Sequence, residues 1–345
     1  MKIAPISDAL REPYARFVEQ HDAARFFHSR RYLDFLRDML GATDRSLLAL
    51  DANGGVVGAL PVLAHEGAAG TVLNSLPFYG SHGGALASEP AVAQALVDAF
   101  GTAARDRLCA AATLVENLRD AWNYAALGAT HSDERIGQIS PIGHAQDCAE
   151  GLMAAFHYKT RNMVRKSQRA GLSVRVDNTA FDILERMHRE NLVALRGAPK
   201  PARFFSLVDK HFRPDTDYRL YLAYKDGRPV SALLLFYFGS TVEYFMPATQ
   251  VEFRELQPLT LLIFEAMTDA SRRGLRWWNW GGTWKTQDGV YRFKKRWGTE
   301  DHPYRYHTIV NRADMLEWSS ARMLAEYPYF YVAPFSALLQ EQWVT

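Results

Sequence analysis

The sequence predicts a mixed α/β protein made of two related halves. Its 345 residues exceed one ordinary small domain and suit two domains of roughly 150–180 residues. A hydrophobic content of 48% is enough for two cores. A helix, a hairpin, a strand, a proline-started helix and a final strand are also predicted twice in the same order. We therefore expect one domain in residues 1–150 and a second in residues 151–345.

The first half shows these elements clearly. Its first helix has an apolar stripe between an N-terminal serine and a C-terminal glycine. An Asp-Ala-Asn-Gly-Gly turn joins the strands of its hairpin. The predicted elements are a helix over residues 32–40, a hairpin of residues 47–50 and 56–63, a helix from residue 90 to about residue 107, and a strand near residues 111–118.

The second half ends in an aromatic strand, Trp-Trp-Asn-Trp, which we expect to support the functional site. This strand stops at Gly281 and Gly282 and is followed by a polar loop that contains Asp288. Because the backbone can diverge at the carboxyl end of a strand, the loop predicts a substrate cleft. The predicted elements of this half are a hairpin of residues 221–224 and 230–236, a strand over residues 241–246, a helix that begins at Pro258, and a strand over residues 277–280.

A basic helix, predicted within residues 151–176, connects the two halves. Arg161, Arg165 and Arg169 are spaced by four residues and form one stripe on such a helix, with Lys166 beside it. This stripe fits a phosphate-bearing substrate or donor. It is equally typical of a solvated helix face.

Composition excludes several classes of protein. The formal net charge of +2 argues against a chain that coats nucleic acid over its whole surface. The two cysteines form no spaced pattern, and metal-binding signatures are absent, so we expect no disulfide scaffold and no metal. The chain shows no apolar signal segment and no apolar run of membrane-spanning length. We therefore expect a cytoplasmic protein without membrane insertion.

Four stretches, residues 76–84, 158–171, 258–282 and 293–298, resemble the FemA/FemB/FemX-like acyltransferases, whose single-chain relatives are GNAT-fold N-acyltransferases. The order and spacing of these stretches carry the resemblance. It implies two tandem GNAT-like domains with an active-site cleft between them. It also implies transfer of an acyl or aminoacyl group to an amine.

The expected donor is acyl-CoA as a co-substrate, with no tightly bound cofactor. The chain lacks the long helical arm of some peptidoglycan-bridge members, and its charge is near neutral, which argues against a large tRNA footprint. Residues 250–257 stand in place of a glycine-containing pyrophosphate loop. The expected acceptor is an amine of a cell-envelope or amino-sugar, nucleotide-linked precursor. The alternatives are an aminoacyl-tRNA-dependent FemX-like transferase and a non-catalytic module that binds a phosphorylated ligand or RNA.

Five residues are candidates for catalysis. The resemblance puts Lys294 in the cleft, where it would hold a phosphate or the oxyanion, whereas a solvated helix face is the alternative. It suggests Glu243 as the general base, whereas the alternative is a solvated glutamate on the outer face of a strand. It suggests Tyr291 as the acid that protonates the leaving group, whereas the alternative is a tyrosine of the core. Asp288 would orient the amine or cap a turn. His82 would transfer protons or lie incidentally in a tight turn.

The remaining candidates would bind substrate. The turn Tyr79-Gly-Ser-His-Gly-Gly84 combines polar side chains with glycines that permit close approach of a ligand. We expect tryptophans around the aromatic strand either to stack on a sugar or base of the substrate or to pack in the core. The substrate-binding candidates are Tyr79, Gly80, Ser81, Arg161, Arg165, Lys166, Gly282 and Trp284.

Overall fold

The computed structural model describes residues 1–78, 82–118, 122–143, 148–195 and 197–338. The chain divides into two compact units. The first unit comprises Met1–Arg135 and Pro303–Thr345, and the second comprises Ile136–His302. The two units divide between Arg135 and Ile136, which is before the predicted boundary at residue 150. The segment from Pro303 onwards is part of the first unit. The predicted domain boundary itself stays a prediction.

The helices occur where apolar periodicity and capping residues predict them. Ser29 accepts a hydrogen bond from the backbone of Tyr32 at the start of one helix, and Gly41 ends it with a φ of +63°. The helices are α1 (Arg11–Gln20), α2 (Arg30–Leu40), α3 (Pro90–Ala104), α4 (Cys148–Ala155), α5 (Tyr158–Arg169), α6 (Phe181–Ala194), α7 (Ala202–His211), α8 (Pro258–Arg272), α9 (Asp288–Lys295) and α10 (Ser320–Glu326). None of the helices in the described ranges is long and apolar enough to cross a membrane.

The strands form sheets in both units. They are β1 (Lys2–Pro5), β2 (Thr43–Asp44), β3 (Leu47–Leu50), β4 (Val56–Leu60), β5 (Leu63–Gly67), β6 (Gly70–Asn74), β7 (Leu86–Ala87), β8 (Cys109–Val115), β9 (His131–Pro141), β10 (Leu172–Val176), β11 (Tyr218–Lys225), β12 (Arg228–Phe238), β13 (Thr241–Thr249), β14 (Trp277–Trp284) and β15 (Glu300–Val310). In the first unit the strand orders are β1-β3-β4-β7 and β15-β8-β6-β5-β2. In the second unit the order is β10-β11-β12-β13-β14-β9.

The same crossover occurs in both units. In the first, β6 and β8 pair in parallel and are connected through α3. In the second, β13 and β14 pair in parallel and are connected through α8. Both helices contain 15 residues and begin with a proline, whose fixed φ suits the first helical position. The predicted repeat therefore rests on a pair of corresponding β-α-β segments.

Two local expectations are corrected. Residues 151–176 are not one basic helix, because α4 ends at Ala155, α5 follows, and residues 172–176 form β10. The aromatic strand does not stop at Gly281 and Gly282 but continues to Trp284. Glycine permits the positive φ of +72° at Gly281, so the strand changes direction there without ending.

The core of the second unit lies between its sheet and α8. Leu262, Ile263, Ala266 and Met267 of this helix are fully buried against strand residues that include Trp278. Burial of a continuous apolar face supplies most of the stabilisation of such a helix. In the first unit, α3 packs closely on β4, where Gly58 leaves room for the side chains of Val92 and Leu96.

Replacement of Gly58 by alanine is expected to destabilise the protein. A Cβ atom at this position would lie 2.5 Å from Val92 Cγ1 and 3.2 Å from the backbone oxygen of Leu86. We expect a loss of about 1–3 kcal/mol in the free energy of unfolding, measured by denaturant titration. Gly289→Ala is the control, because nothing lies within 4 Å of its added Cβ. Equal unfolding midpoints for Gly58→Ala and wild type would contradict this packing.

Candidate active site

The candidate site lies in the second unit, where β13 and β14 separate. The paired register of these parallel strands ends at Glu243 and Asn279. β13 then continues to Thr249, and β14 bends at Gly281 and continues to Trp284. Two parallel strands that separate at their carboxyl ends open a crevice between them.

A buried chain of hydrogen bonds holds the last pair of residues. The side-chain amide of Asn279 donates to Glu243 Oε2 at 2.7 Å, and Asn279 Oδ1 accepts from the backbone N–H of Gly281 at 3.0 Å. Glu243 is 2% exposed and Asn279 is fully buried. The alternative of a solvated glutamate is therefore wrong. The network joins the carboxylate to the bend of β14.

Lys294 reaches the same bend from α9. Its Nζ donates to the backbone oxygens of Gly281 and Gly282 at 3.4 and 3.1 Å and to Thr283 Oγ1 at 2.8 Å. The residue is buried, and desolvation lowers the pKa of Lys294 to about 8. The alternative of a solvated helix face is thus wrong for this lysine. Lys295, in contrast, forms an ion pair with Asp301 at 3.1 Å.

Aromatic contacts fix α9 in the position that Lys294 requires. The rings of Phe293 and Trp297 lie 5.9 and 5.7 Å from that of Trp280. Trp280 and Trp278 are both buried, with ring centroids 5.8 Å apart. The core interpretation of these tryptophans is therefore correct. Because the aromatic pairs have preferred tilted and edge-to-face geometries, they restrict how α9 can rotate.

A cavity of about 350 Å³ opens beside the start of α8. Its wall includes Pro247 of β13, Phe293 of α9, and Arg254, which is exposed in the short helical turn before Gln257. Gln257 has a φ of +59° and directly precedes the first residue of α8. The unpaired N–H groups and the positive dipole end at the start of a helix favour anionic groups. The guanidinium of Arg254 adds a further positive charge there.

The end of β13 forms another part of this cavity wall. Asn191 of α6 binds both peptide groups of Thr249: its Nδ2 donates to Thr249 O at 2.8 Å, and its Oδ1 accepts from Thr249 N at 3.0 Å. Upstream, Phe245 forms a bulge, because the register between β12 and β13 shifts between Leu234 and Leu235. Bulges of this kind occur often beside functional sites.

The other candidates of the second unit lie nearby in sequence but differ in environment. Asp288 is exposed at the first position of α9. Tyr291 donates its hydroxyl proton to Asp301 Oδ2 at 2.7 Å, and this hydrogen bond raises the pKa of Tyr291. Gly282 accepts from Lys294, and Trp284 is partly buried. The structure thus joins Lys294, Gly282, Asn279 and Glu243 in one network.

The basic stripe is only partly solvated. Arg161 donates to the backbone oxygen of Phe156 at 2.6 Å and is half-buried. Arg165 and Lys166 are exposed on α5, whose inner face packs against α8 through Val164. Only the outer part of the stripe is therefore free to meet a charged partner.

The described part of the glycine-rich turn, His82 to Gly84, belongs to the first unit. Tyr79, Gly80 and Ser81 lie outside the described residues. His82 is fully buried, and its ring centroid lies 5.2 Å from that of Tyr304. At the next position, Gly83, an added Cβ would lie 2.8 Å from the backbone oxygen of Ser75, so tight backbone packing accounts for this glycine.

Sequence reasoning missed three residues of the site: Asn279, Asn191 and Arg254. The signal for Asn279 was present, because it is the one polar residue within the aromatic run Trp-Trp-Asn-Trp. Asn191 lies in a stretch that sequence periodicity reads only as helix. Its role depends on its contact with Thr249 of β13, which is distant in sequence.

Comparison with known proteins assigns the fold. The family model described as acetyltransferase (GNAT) domain matches residues 154–295, which include β13, α8, β14 and Lys294. No curated protein matches the sequence significantly. The crystal structure of FemX is similar with a TM-score of 0.72 and 16% sequence identity, and the match covers 91% of this chain and 99% of that one.

Two further structures share the fold at low identity. The tandem GNAT protein from the clavulanic acid biosynthesis pathway matches at a TM-score of 0.52 and 15% identity, over 89% of this chain and 97% of that one. The C-terminal domain of a putative lysylphosphatidylglycerol synthetase from Agrobacterium fabrum matches with a TM-score of 0.55 and 13% sequence identity. This match covers 95% of this chain and 100% of that one. The predicted mixed α/β fold of the FemX-like, tandem GNAT type is confirmed. The predicted cleft between the halves stays a prediction.

The free energy of unfolding is expected to depend on pH through Lys294. Burial lowers the pKa of Lys294 from 10.5 to about 8, so the unfolded chain binds this proton more tightly. The buried ammonium therefore reduces stability below pH ~8, and this reduction disappears as the pH rises towards the unfolded value. Relative to Lys294→Met, the wild type should gain about 1 kcal/mol per pH unit in this window. Denaturant titrations over this range measure the difference, and parallel curves for the two proteins would contradict it.

Proposed function

We propose that this acyltransferase, whose residues 154–295 form a GNAT domain, transfers an acyl group from acyl-CoA to an amine of a cell-envelope or amino-sugar, nucleotide-linked precursor. The observation that carries the proposal is the buried ammonium of Lys294 at the separation of β13 and β14. Because acyl-CoA is a cytoplasmic metabolite, we place the reaction in the cytoplasm. The acceptor is a small molecule that carries phosphate or a nucleotide.

The cavity at the start of α8 is the proposed donor site. The phosphates of a CoA thioester would meet the helix start and Arg254, and the acyl end would enter the crevice beside Pro247. In this proposal the short helical turn Val251–Leu256 takes the place of a glycine-containing pyrophosphate-binding loop. No cofactor is retained between turnovers, because the donor is consumed as a co-substrate.

The proposed chemistry is direct transfer. The neutral amine attacks the thioester carbonyl, a C–N bond forms, and the C–S bond breaks to release the thiol. The positive charge of Lys294, whose N–H groups are held by Gly281, Gly282 and Thr283, stabilises electrostatically the oxyanion that develops on the carbonyl. The proton of the amine passes to Glu243, which Asn279 orients, and then to the leaving sulfur. Asp288 is assigned to orientation of the amine, whereas Tyr291 is already engaged with Asp301.

An aminoacyl-tRNA donor is the second candidate. The observation in its favour is the exposure of Arg165 and Lys166 on the outer face of α5. Binding of charged tRNA through these side chains would weaken steeply with added salt, because each phosphate contact releases counterions. Incubation with acetyl-CoA and a panel of amino sugars and their nucleotides, followed by mass spectrometry, separates the candidates. A product without any tRNA supports acyl-CoA, and a product formed only with aminoacyl-tRNA overturns it.

Lys294→Met is expected to lower kcat by at least about tenfold, because the oxyanion loses the nearby positive charge while the apolar stem of the side chain is kept. Turnover is measured with acetyl-CoA and the best acceptor from the panel. Lys295→Met is the matched control, since the neighbouring lysine forms its ion pair with Asp301 and does not reach the glycines. Equal losses in the two variants would remove Lys294 from the catalytic assignment.

Arg254→Ala is expected to raise the KM for acetyl-CoA by about threefold to tenfold with little change in kcat, because a phosphate contact holds the donor without taking part in chemistry. Arg272→Ala is the control, because Arg272 is the last residue of α8, about 21 Å from its start. An unchanged KM in Arg254→Ala, from initial rates over a range of donor concentrations, would place the donor elsewhere.

A further inference from the structure

A buried glutamine of β9 is linked to the hydroxyl that binds Lys294. Gln138 and Thr283 are both fully buried. Thr283 Oγ1 accepts from Lys294 Nζ at 2.8 Å and donates its own proton to Gln138 Oε1 at 3.4 Å. Gln138 Nε2 donates to Thr299 Oγ1 at 3.2 Å and to the backbone oxygen of Tyr291 at 3.4 Å. Gln138 therefore connects the hydroxyl that binds Lys294 with α9, the helix that carries Lys294.

The directions of these hydrogen bonds follow from the charge of Lys294. An ammonium can only donate, so Thr283 must accept from it and has its single hydroxyl proton left to donate. Gln138 Oε1 accepts that proton, and the side-chain amide N–H groups of Gln138 then donate to the backbone oxygen of Tyr291. Tyr291 precedes Lys294 by three residues in α9. The hydrogen bonds therefore run from Lys294 to Thr283, to Gln138 and back to α9, and we call this closed series the Lys294 circuit.

A second buried polar side chain of β9 has a different role. Ser140 is two positions from Gln138, so the two side chains lie on the same face of the strand. Its hydroxyl accepts from Trp280 Nε1 at 2.9 Å and donates to the backbone oxygen of Trp297 at 2.9 Å. Neither partner of Ser140 is an acceptor of the Lys294 ammonium. Ser140 thus anchors the segment that follows α9 from outside the Lys294 circuit, which makes it the matched control for Gln138.

We propose that Gln138 is a positioning residue for Lys294. By accepting the hydroxyl proton of Thr283, it directs a lone pair of Thr283 Oγ1 towards the ammonium. By donating to the carbonyl of Tyr291, it holds α9 at the distance that this contact requires. Hydrogen bonds in series polarise one another, and each is electrostatically stronger inside a protein than in water. Gln138 thus keeps the positive charge of Lys294 at the bend of β14. This inference rests on the proposed function, which assigns that charge to the oxyanion.

An NMR titration of the whole protein, with lysine isotopically labelled at Cε, tests the proposal without a substrate. The signal of Lys294 is identified by its loss in Lys294→Met, and its chemical shift follows the protonation of Nζ. Gln138→Met nearly keeps the volume of the side chain and removes both of its polar groups. We expect this variant to lower the pKa of Lys294 below the wild-type value of about 8, because the ammonium loses stabilisation although no charge has been changed.

Ser140→Ala should leave the pKa of Lys294 unchanged in the same titration. Gln138→Asn provides a second variant if Gln138→Met does not fold, because it keeps the amide but is one methylene too short to complete the Lys294 circuit. An equal pKa of Lys294 in the Gln138 variant and in the wild type would overturn the proposal. An equal decrease in Ser140→Ala would also overturn it, because general loosening of α9 would then be the cause.

A double-mutant cycle of turnover separates this inference from the proposed function. Gln138→Met should lower kcat by about threefold to tenfold, the effect of one hydrogen bond, with an unchanged KM for acetyl-CoA. Because Gln138 acts through Lys294, the same substitution should lower kcat no further in the Lys294→Met background. If the two losses multiply in the double variant, Gln138 acts by another route and the proposal is overturned. If Lys294→Met has wild-type turnover, the proposed role of Lys294 fails, and the NMR titration alone decides whether Gln138 positions its ammonium.

Discussion

The geometry of the candidate site depends on one buried contact, the ammonium of Lys294 on the carbonyls of Gly281 and Gly282. A charge can be buried only where polar atoms replace its hydration, and here two backbone oxygens and a threonine hydroxyl do so. These acceptors lie just beyond the point where the pairing of β14 with β13 ends. The strand separation that opens the crevice and the site that holds the cation are therefore one structural feature.

The β-α-β crossover explains how this feature is supported. A parallel pair requires a crossover connection, and α8 supplies it with an apolar face that is buried along most of its length. The start of the same helix borders the proposed donor cavity. One helix thus stabilises the sheet and directs a positive dipole end towards the place where the phosphates are expected. The corresponding segment β6-α3-β8 has the same parallel geometry in the first unit.

Local patterns predicted the fold well, because caps, turns and periodicity act over a few residues. Ser29, Gly41 and the Asp51 turn have the roles that their chemistry indicates. The resemblance singled out Lys294, and Glu243 was placed on the correct strand, but the burial of both residues depends on packing between distant segments. Asn191 lies outside any local pattern, since its partner on β13, Thr249, is 58 residues away. Sequence periodicity contains no information about such contacts.

The separation of β13 from β14 also has a consequence for solubility. It leaves β13 with an open edge, and free peptide groups on an edge can recruit a strand from another molecule and begin aggregation. Pro247 has no N–H group that could pair with another strand. The side chain of Asn191 hydrogen-bonds to both the N–H and the carbonyl oxygen of Thr249, as a neighbouring strand would. The residues that border the proposed donor cavity thereby also protect the sheet from intermolecular pairing.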